Sequence, residues 1–248
     1  MKKLTTKEYW VQAQANTNIE LDDENIIKKW IDDIIGDRKI KNAIEIGCYP
    51  GKFLTILGKK GTILSGIDYI PNVIELEYKF KSNGYKVDEF INADFFEFQT
   101  SKKYECVMSF GFIEHFKNWE DVIQRHVDLV ADEGYLIIEV PNFNGIFQRL
   151  PRFIFDKENF KRHNLKAMNL EKWNRIIEEN GFEIISSNYF GGYMLWFEKH
   201  IDNTKVLRIR DLLTLILKKI KNTIYPDVVN HPSFSCVMGV IAKRKPTL

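Results

Sequence analysis

The stretch AIEIGCYPGKF, residues 43–53, runs from alternating apolar residues into a turn that holds two glycines, Gly47 and Gly51. A short apolar run that ends in glycine is typical of a buried strand followed by a tight turn. The pattern predicts a helix that opens at Gly51 and continues to about Lys59. Glycines at such a turn let a ligand approach the backbone closely. The stretch therefore predicts a ligand site directly after the first strand.

Segments with strand and helix patterns alternate after this turn. The predicted strands cover residues 62–68, 87–94, 104–111, 135–142, 182–190 and 234–245. The predicted helices cover residues 8–35, 71–84, 118–134, 170–181 and 205–222, and residues 141–168 read as irregular. This alternation indicates an α/β fold with a parallel, doubly wound sheet and helices on both faces.

Composition narrows the class of protein. The chain has 248 residues, a formal net charge of +2 and 44% hydrophobic residues, which suits one globular domain and gives no support for nucleic acid as a partner. No run of 18 apolar residues occurs, so we expect a cytoplasmic protein without stable membrane insertion. Cys48, Cys106 and Cys236 lack metal-ligand spacing, so buried free thiols and no metal site are expected.

Three ligands compete for the glycine turn. A nucleoside triphosphate needs G-x-x-x-x-G-K-[ST], but three residues separate Gly47 from Gly51, and Lys52 is followed by Phe53. A dinucleotide needs G-x-G-x-x-G, and its middle glycine is Tyr49 here. S-adenosylmethionine requires a tight turn, an acid for the ribose hydroxyls, a polar group for adenine and an apolar wall. The sequence favours this third ligand.

Side chains of these kinds follow the successive predicted strands, where an open α/β sheet binds its ligands. Asp68 ends the strand at 62–68 and can accept both ribose hydroxyls, and Asp94 follows the next strand and can receive the adenine amine. Both are also good turn residues, but their order along the chain favours a cofactor role. The adenine wall and the backbone contacts to the methionyl part are expected from Tyr69, Ile70, Phe95, Ser109 and Gly111.

Together these segments resemble the class I S-adenosylmethionine-dependent methyltransferases over most of the chain. EIGCYPG, residues 45–51, is similar to the family's first motif, E-x-G-x-G-x-G, with Tyr49 at the middle glycine. The resemblance implies that Glu45 acts near the amino group of the cofactor. LVADEGYLIIEVPN, residues 129–142, is similar to the family strand after an L-x-P-G-G turn, and FIEHF, residues 112–116, resembles the EH segment of small-molecule members.

The resemblance implies a Rossmann-like sheet of seven strands in a single domain, 1–248, with its last strand antiparallel. Within it we expect an N-terminal helical cap at 1–40, a substrate lid at 141–168 and a helical insertion at 200–230. The 205–222 helix, apolar on one stripe and basic around it, is expected to pack on the domain or in a homodimer, with a membrane-surface role as the alternative.

His115 follows the fourth predicted strand and is the candidate catalytic base, because histidine can accept a proton from a substrate hydroxyl near neutral pH. The alternative is that it only shapes the pocket. Asn142, Asn144 and His163 in the expected lid are candidate substrate contacts. His126, on the 118–134 helix, is expected at the surface.

The expected function is methyl transfer from S-adenosylmethionine to a small-molecule acceptor. The resemblance to glycan-pathway members favours a sugar or nucleotide-linked precursor of a bacterial surface polysaccharide, with O-methylation ahead of N-methylation. A quinone or lipid acceptor is the alternative, and a non-catalytic cofactor-binding protein of the same fold is a third hypothesis. The retention of Asp68 and Asp94 speaks against that third hypothesis.

Overall fold

Seven strands form one sheet in the computed structural model, which describes residues 3–13, 18–196 and 204–246. The strands are β1 (Asn42–Ile46), β2 (Ile63–Asp68), β3 (Val87–Asn92), β4 (Tyr104–Phe110), β5 (Val130–Pro141), β6 (Phe182–Phe190) and β7 (Val237–Arg244). They lie in the order β3-β2-β1-β4-β5-β7-β6. Neighbours from β3 to β5 are parallel, and β7 runs antiparallel to both β5 and β6. The predicted doubly wound sheet with an antiparallel last strand is confirmed.

The described helices occupy the connections between strands and the N-terminal region. They are α1 (Lys7–Ala13), α2 (Ile26–Ile35), α3 (Leu54–Gly58), α4 (Glu75–Ser82), α5 (Trp119–Leu129), α6 (Ile146–Phe155), α7 (Lys157–Lys161), α8 (Leu170–Glu179) and α9 (Thr204–Ile224). Among them, none combines the length and apolar character that crossing a bilayer requires.

Alternating side chains of the strands feed two apolar cores, one on each face of the sheet. In β1, Ile44 and Ile46 join the core that α5 and α8 cover with Trp119 and Trp173. Ala43, on the opposite face of the same strand, joins the core beneath α2, α3 and α4. Because both faces are covered, the central strands β1, β2 and β4 are buried and only their ends are open to ligands.

The sheet changes winding direction between β1 and β4. β1 pairs with β2 on one side and with β4 on the other, so the chain leaves these two strands toward opposite faces. A crevice therefore opens at their carboxyl ends, which is where open α/β sheets hold ligands. The glycine turn at 47–51 lies at this point.

Two helix predictions were wrong in extent. Residues 8–35 do not form one helix but α1 and α2, and residues 14–17 between them lie outside the described part. The helix predicted at 118–134 ends at Leu129, because Val130 starts β5. The pairing of β4 and β5 shifts register between Tyr104 and Cys106, so VADEG forms an irregular strand start instead of a last helical turn.

The stretch 141–168 is more helical than predicted. It contains α6, α7 and a short 3₁₀ helix at Leu165–Ala167. Pro151 lies inside α6, and an interior proline removes a backbone donor, which is why the sequence pattern argued against a helix. The segment is thus a folded part of the domain.

His126 was expected at the surface and is instead fully buried in α5. Its Nδ1 lies 2.7 Å from the carbonyl oxygen of Val122, and its ring packs edge-on against Phe95. Burial lowers the pKa of His126 to about 4, so the ring is neutral at physiological pH. The three cysteines are buried free thiols, as predicted.

Candidate active site

A cavity of about 370 Å³ opens at the carboxyl ends of β1, β2 and β4, within the range of small-molecule sites. Most of the predicted site residues line it. They are Glu45, Gly47, Tyr49, Asp68, Tyr69, Ile70, Asp94, Phe95, Gly111, His115 and His163.

The two glycines of the turn after β1 differ in what surrounds them. Gly47 has φ of +70°, and a Cβ there would lie 2.4 Å from Cδ2 of Phe112, so only glycine fits. Gly51 also has positive φ, but it packs against Phe80 of α4 and does not line the cavity. Tyr49 has no positive φ, so a side chain is tolerated where the family motif has its middle glycine.

Asp68 anchors this turn from the end of β2. Its two carboxylate oxygens accept the backbone N–H groups of Tyr49 and Ile70, each at 3.0 Å. Burial raises the pKa of Asp68 to about 6, and the N–H groups of Ile70 and Tyr49 limit the rise. Each oxygen keeps acceptor capacity on the cavity side, which suits a ligand with two adjacent hydroxyls.

Glu45 is a buried acid of the crevice with one unmet carboxylate oxygen. It is buried in β1, and its Oε2 has no hydrogen-bond partner among the described residues. Burial, and then the nearby Asp68, raise its pKa well above the ordinary value. A buried acid without a partner is costly, and a bound ammonium group would compensate it. The amino group of S-adenosylmethionine fits this requirement.

Asp94 follows β3 and is paired in a way that the sequence did not indicate. Its Oδ2 lies 2.5 Å from Nζ of Lys3, while its Oδ1 accepts the N–H of Phe96 at 3.1 Å. Burial raises the pKa of Asp94, but the Lys3 ammonium and the Phe96 N–H outweigh it, so the pKa lies below its ordinary value. The Lys3 ammonium also lies 4.5 Å from the ring centre of Tyr69.

Residues 3–13, here called the N-terminal strap, cross the mouth of the cavity. The N–H of Leu4 donates to the carbonyl oxygen of His115 at 2.9 Å. The ring of Trp10 stands edge-on to the His115 ring at 5.1 Å, and Tyr9 faces the guanidinium of Arg162 at 4.2 Å. The strap therefore contacts both the cofactor side, through Lys3, and the side around His115.

His115 and His163 lie together in the wall of the cavity. Their ring centroids are 4.7 Å apart. Nδ1 of His115 lies 2.9 Å from the carbonyl oxygen of Arg162, and Nδ1 of His163 lies 2.8 Å from that of Asn159. A carbonyl oxygen only accepts, so both Nδ1 atoms are donors and each neutral ring carries its lone pair on Nε2.

Glu114 completes a cluster with these two histidines. One ligand-capable atom of each residue lies within 4.8 Å of the others, and Oε1 of Glu114 is 3.6 Å from Nε2 of His115. The sequence suggested no metal set because Glu114 and His163 are far apart along the chain. Burial raises the pKa of Glu114 well above its ordinary value. Burial, and then the nearby His115, lower the pKa of His163. The cluster thus combines a carboxyl group, Glu114, and an imidazole, His163, that both favour the neutral form.

Three predicted contact residues lie elsewhere. Asn142 is buried outside the cavity lining, and its amide donates to the carbonyl oxygens of Pro232 and Ser235 at 2.8 and 2.9 Å, so it joins the segments after β5 and before β7. Asn144 is exposed and does not line the cavity. Ser109 lies within β4 with its hydroxyl buried, outside the cavity lining.

Several lining residues were missed from the sequence. Lys3, Tyr9 and Trp10 reach the cavity from the strap, and Phe143 and Trp196 reach it from beyond β5 and β6. Arg152 is buried between Phe143 and Trp196, at 3.8 and 4.5 Å from their ring centres. Their positions depend on long-range packing, for which the local pattern carries no signal.

Two bacterial methyltransferases share part of this sequence. Over 100 residues the chain is 30% identical to a ubiquinone biosynthesis O-methyltransferase of Rickettsia felis and 28% identical to that of Rickettsia canadensis. The match spans 40% of this chain and 41% and 42% of those relatives.

Solved structures share the fold over nearly the whole chain. The N-methyltransferase NodS of Bradyrhizobium japonicum, bound to S-adenosyl-L-homocysteine, matches with a TM-score of 0.59 at 12% identity over 96% of this chain and 97% of that one. A SAM dependent methyltransferase of Archaeoglobus fulgidus matches with a TM-score of 0.55 at 19% identity, over 88% and 93%. At these identities the likeness concerns the fold.

The family itself is identified from the sequence. The profile of the methyltransferase domain family matches residues 20–187, more than half of the chain. That range contains the glycine turn, Asp68, Asp94 and the Glu114–His115–His163 cluster. The chain belongs to the methyltransferase domain family, and its fold is that of the solved methyltransferase structures.

Proposed function

We propose that the protein methylates a hydroxyl group on a small aromatic acceptor, with His115 as the base that receives the hydroxyl proton. The observation that carries this proposal is the pair of adjacent imidazoles, His115 and His163, beside aromatic side chains in the cavity wall. Glu45, Asp68 and Asp94 also line the cavity and are proposed to hold the cofactor.

S-adenosylmethionine supplies a methyl group on a positively charged sulfur, so the acceptor does not need strong activation. The residues therefore have three tasks: to hold donor and acceptor in line, to exclude water and to take one proton. The acid at Glu45 holds the amino end, Asp68 accepts the ribose hydroxyls, and the strap covers the opening.

His115 has the features that proton transfer requires. Its Nδ1–H is held by the carbonyl oxygen of Arg162, which fixes the ring and the tautomer. As the bond between the acceptor oxygen and the methyl carbon forms, the hydroxyl proton passes to Nε2 of His115, and the electrons of the carbon–sulfur bond stay on sulfur. Oε1 of Glu114 lies 3.6 Å from this atom and would face the N–H of the resulting imidazolium as an acceptor.

The lining favours an aromatic acceptor. Trp10, Phe143 and Trp196 stand around the two histidines, and the edges and faces of such rings suit a planar ligand. The two relatives named ubiquinone biosynthesis O-methyltransferase add support for an aromatic hydroxyl. A sugar or nucleotide-linked acceptor is the second candidate, favoured by the polar Asn159 and Lys52 on the cavity wall.

Release of S-adenosylhomocysteine from the full chain, with one acceptor added at a time, tests the proposal. We expect turnover with hydroquinone- or catechol-type phenols and none with nucleoside-diphosphate sugars or primary amines. Trp196→Ala should raise KM for the phenol more than it lowers kcat, because the ring is proposed to bind and not to react. Turnover confined to sugar nucleotides would replace the aromatic proposal by the second candidate.

A further inference from the structure

The α9 helix is amphipathic, but its apolar stripe is not covered by the rest of the described chain. Of its side chains that the structure describes, Leu207 to Ile224, none is buried. The exposed fractions of its large apolar residues range from 42% to 65%: Ile209, Leu212, Leu215, Ile216, Ile220 and Ile224. Positions 209, 212, 216, 220 and 224 recur at three and four residues, so they form one stripe along the helix.

A second exposed apolar stripe lies on the neighbouring helix. α6 contacts α9, and it exposes Ile146, Leu150, Phe153 and Ile154 at 49% to 67% while burying Phe147 and Arg152 on its opposite side. Single exposed apolar residues are ordinary, but ten on two adjacent helices indicate an interaction surface. We call the exposed residues of α6 and α9 the apolar face.

Charge identifies the partner of this face. α9 contains six basic residues and one acid, Asp211, which is paired with Arg210. On a helical projection, the exposed Arg208 and Lys219 lie beside the apolar stripe, and α6 adds the exposed Arg149 and contains no acid. A second copy of the same face would bring like charges together, whereas an anionic bilayer surface complements both the apolar stripe and its basic border.

We propose that the apolar face docks the protein on the surface of an anionic lipid bilayer, with α9 lying in the plane of the interface. Neither α6 nor α9 meets the requirements for spanning the membrane, so the contact is peripheral. Trp196, 37% exposed, lines the catalytic cavity, and its carbonyl oxygen accepts from Nη1 of Arg152 in α6 at 2.7 Å. The cavity therefore adjoins the docking face, and docking would present it to acceptors held in the bilayer.

Vesicle sedimentation of the full chain tests the docking directly and does not depend on methyl transfer. We expect binding to vesicles of phosphatidylcholine with phosphatidylglycerol, weak binding to phosphatidylcholine alone, and release at high salt because the attraction is screened. Arg208→Gln and Lys219→Gln should each weaken binding about fivefold, since each basic residue near the surface contributes roughly this factor. Ile216→Glu should weaken it at least tenfold.

Ile74→Glu and Lys81→Gln are the matched controls, because both residues are exposed on the opposite flank of the sheet around α4. They should leave vesicle binding unchanged. Equal behaviour of Ile216→Glu and Ile74→Glu, or absence of binding to anionic vesicles, would overturn the proposal. A lipid-free dimer in analytical ultracentrifugation that Ile216→Glu dissociates would also overturn it and assign the face to a second copy.

Discussion

At the scale of single residues, Asp68 connects the turn after β1 with the ligand. Its carboxylate accepts two backbone N–H groups, so the same side chain shapes the turn and faces the cavity. Asp68→Asn should weaken S-adenosylhomocysteine binding by about 1–3 kcal/mol, because charge-assisted hydrogen bonds to the ribose are lost. Calorimetry measures this, with Asp23→Ala on the exposed surface as the control and NAD as a ligand that should not bind.

The thermal unfolding of Asp68→Asn must be measured alongside. An unchanged midpoint with weakened binding supports a direct contact. A lowered midpoint that S-adenosylhomocysteine fully restores would mean that Asp68 acts on the turn alone.

His115 carries the prediction on catalysis. General-base assistance is typically worth about 10²–10⁴-fold, so His115→Ala should lower single-turnover methyl transfer to a phenolic acceptor by a factor in that range. Cofactor affinity should stay nearly unchanged. The base works in its neutral form, so activity of the native enzyme should fall on acidification, and this acid limb should be absent in His115→Gln.

His163→Gln is the informative comparison, because the two rings are adjacent but only one is proposed to take the proton. Losses of less than about threefold in both His115 variants would contradict the base role. A large loss in His163→Gln alone would transfer the role to His163.

At the scale of elements, the N-terminal strap covers part of the proposed cofactor site, because its Lys3 pairs with Asp94. Lys3 and Asp94 are 26% and 29% exposed, so their pairing contributes only about 0–1 kcal/mol. Nζ of Lys3 donates to one carboxylate oxygen of Asp94, the residue that is proposed to receive the adenine amine. Lys3→Met should therefore strengthen S-adenosylhomocysteine binding up to about fivefold, whereas Asp94→Asn should weaken it. Calorimetry on both variants and their double mutant measures the coupling. Weaker binding by Lys3→Met would show that Lys3 is itself a ligand contact.

The elements also show what the sequence can and cannot reveal. Strands and the glycine turn were predicted because their signals are local: apolar runs, glycines and the acids that follow each strand. The ends of elements were less certain, since Val130 leaves α5 for a strand through a register shift that depends on its partner strand. The pattern at 146–155 does not predict α6, because a proline usually ends a helix and Pro151 lies within this one.

Residues that join distant parts of the chain were beyond the reach of local pattern. Its place in the expected lid makes Asn142 a candidate substrate contact, but its amide donates to carbonyl groups about ninety positions away. Lys3 reaches Asp94 across a similar distance. Glu45 and Asp68, by contrast, lie on strands whose order the family resemblance implies, so their convergence could be expected.

At the scale of the whole molecule, buried acids make stability depend on pH. Burial raises the pKa of Glu139 to about 8, and the N–H of Gly111 limits the rise. The folded state therefore holds this proton more tightly than the unfolded chain does. The resulting stabilisation is complete below the ordinary pKa of about 4.5 and is lost as pH rises through about 8.

His126 acts in the opposite direction and in another window. Its pKa is lowered to about 4, so stability is lost as pH falls below the ordinary value of about 6.5. The two effects on stability oppose each other between about pH 4.5 and pH 6.5. Above about pH 6.5 His126 is neutral in both states, so the effect of Glu139 is not offset by His126.

The native free energy of unfolding should thus fall by about 2 kcal/mol between about pH 6.5 and 8 through Glu139 alone. Glu139→Gln should remove this part of the decline, measured by urea unfolding across pH. Glu183→Gln, on the exposed side of β6, is the control and should retain the native slope. An identical slope in Glu139→Gln and the native protein would contradict the assignment.

The N-terminal strap has a consequence for the order of kinetic events. One segment contacts Asp94 through Lys3 and His115 through Leu4 and Trp10, so its displacement opens both ends of the cavity together. Glu45 and Asp68, which are proposed to hold the cofactor, are buried at the ends of β1 and β2, so an acceptor seated beneath Trp10 is expected to block the way out for the spent donor. We therefore expect compulsory-order turnover, in which the donor enters first and its spent form leaves last. Product-inhibition patterns measure this: S-adenosylhomocysteine should compete with S-adenosylmethionine and act non-competitively toward the acceptor.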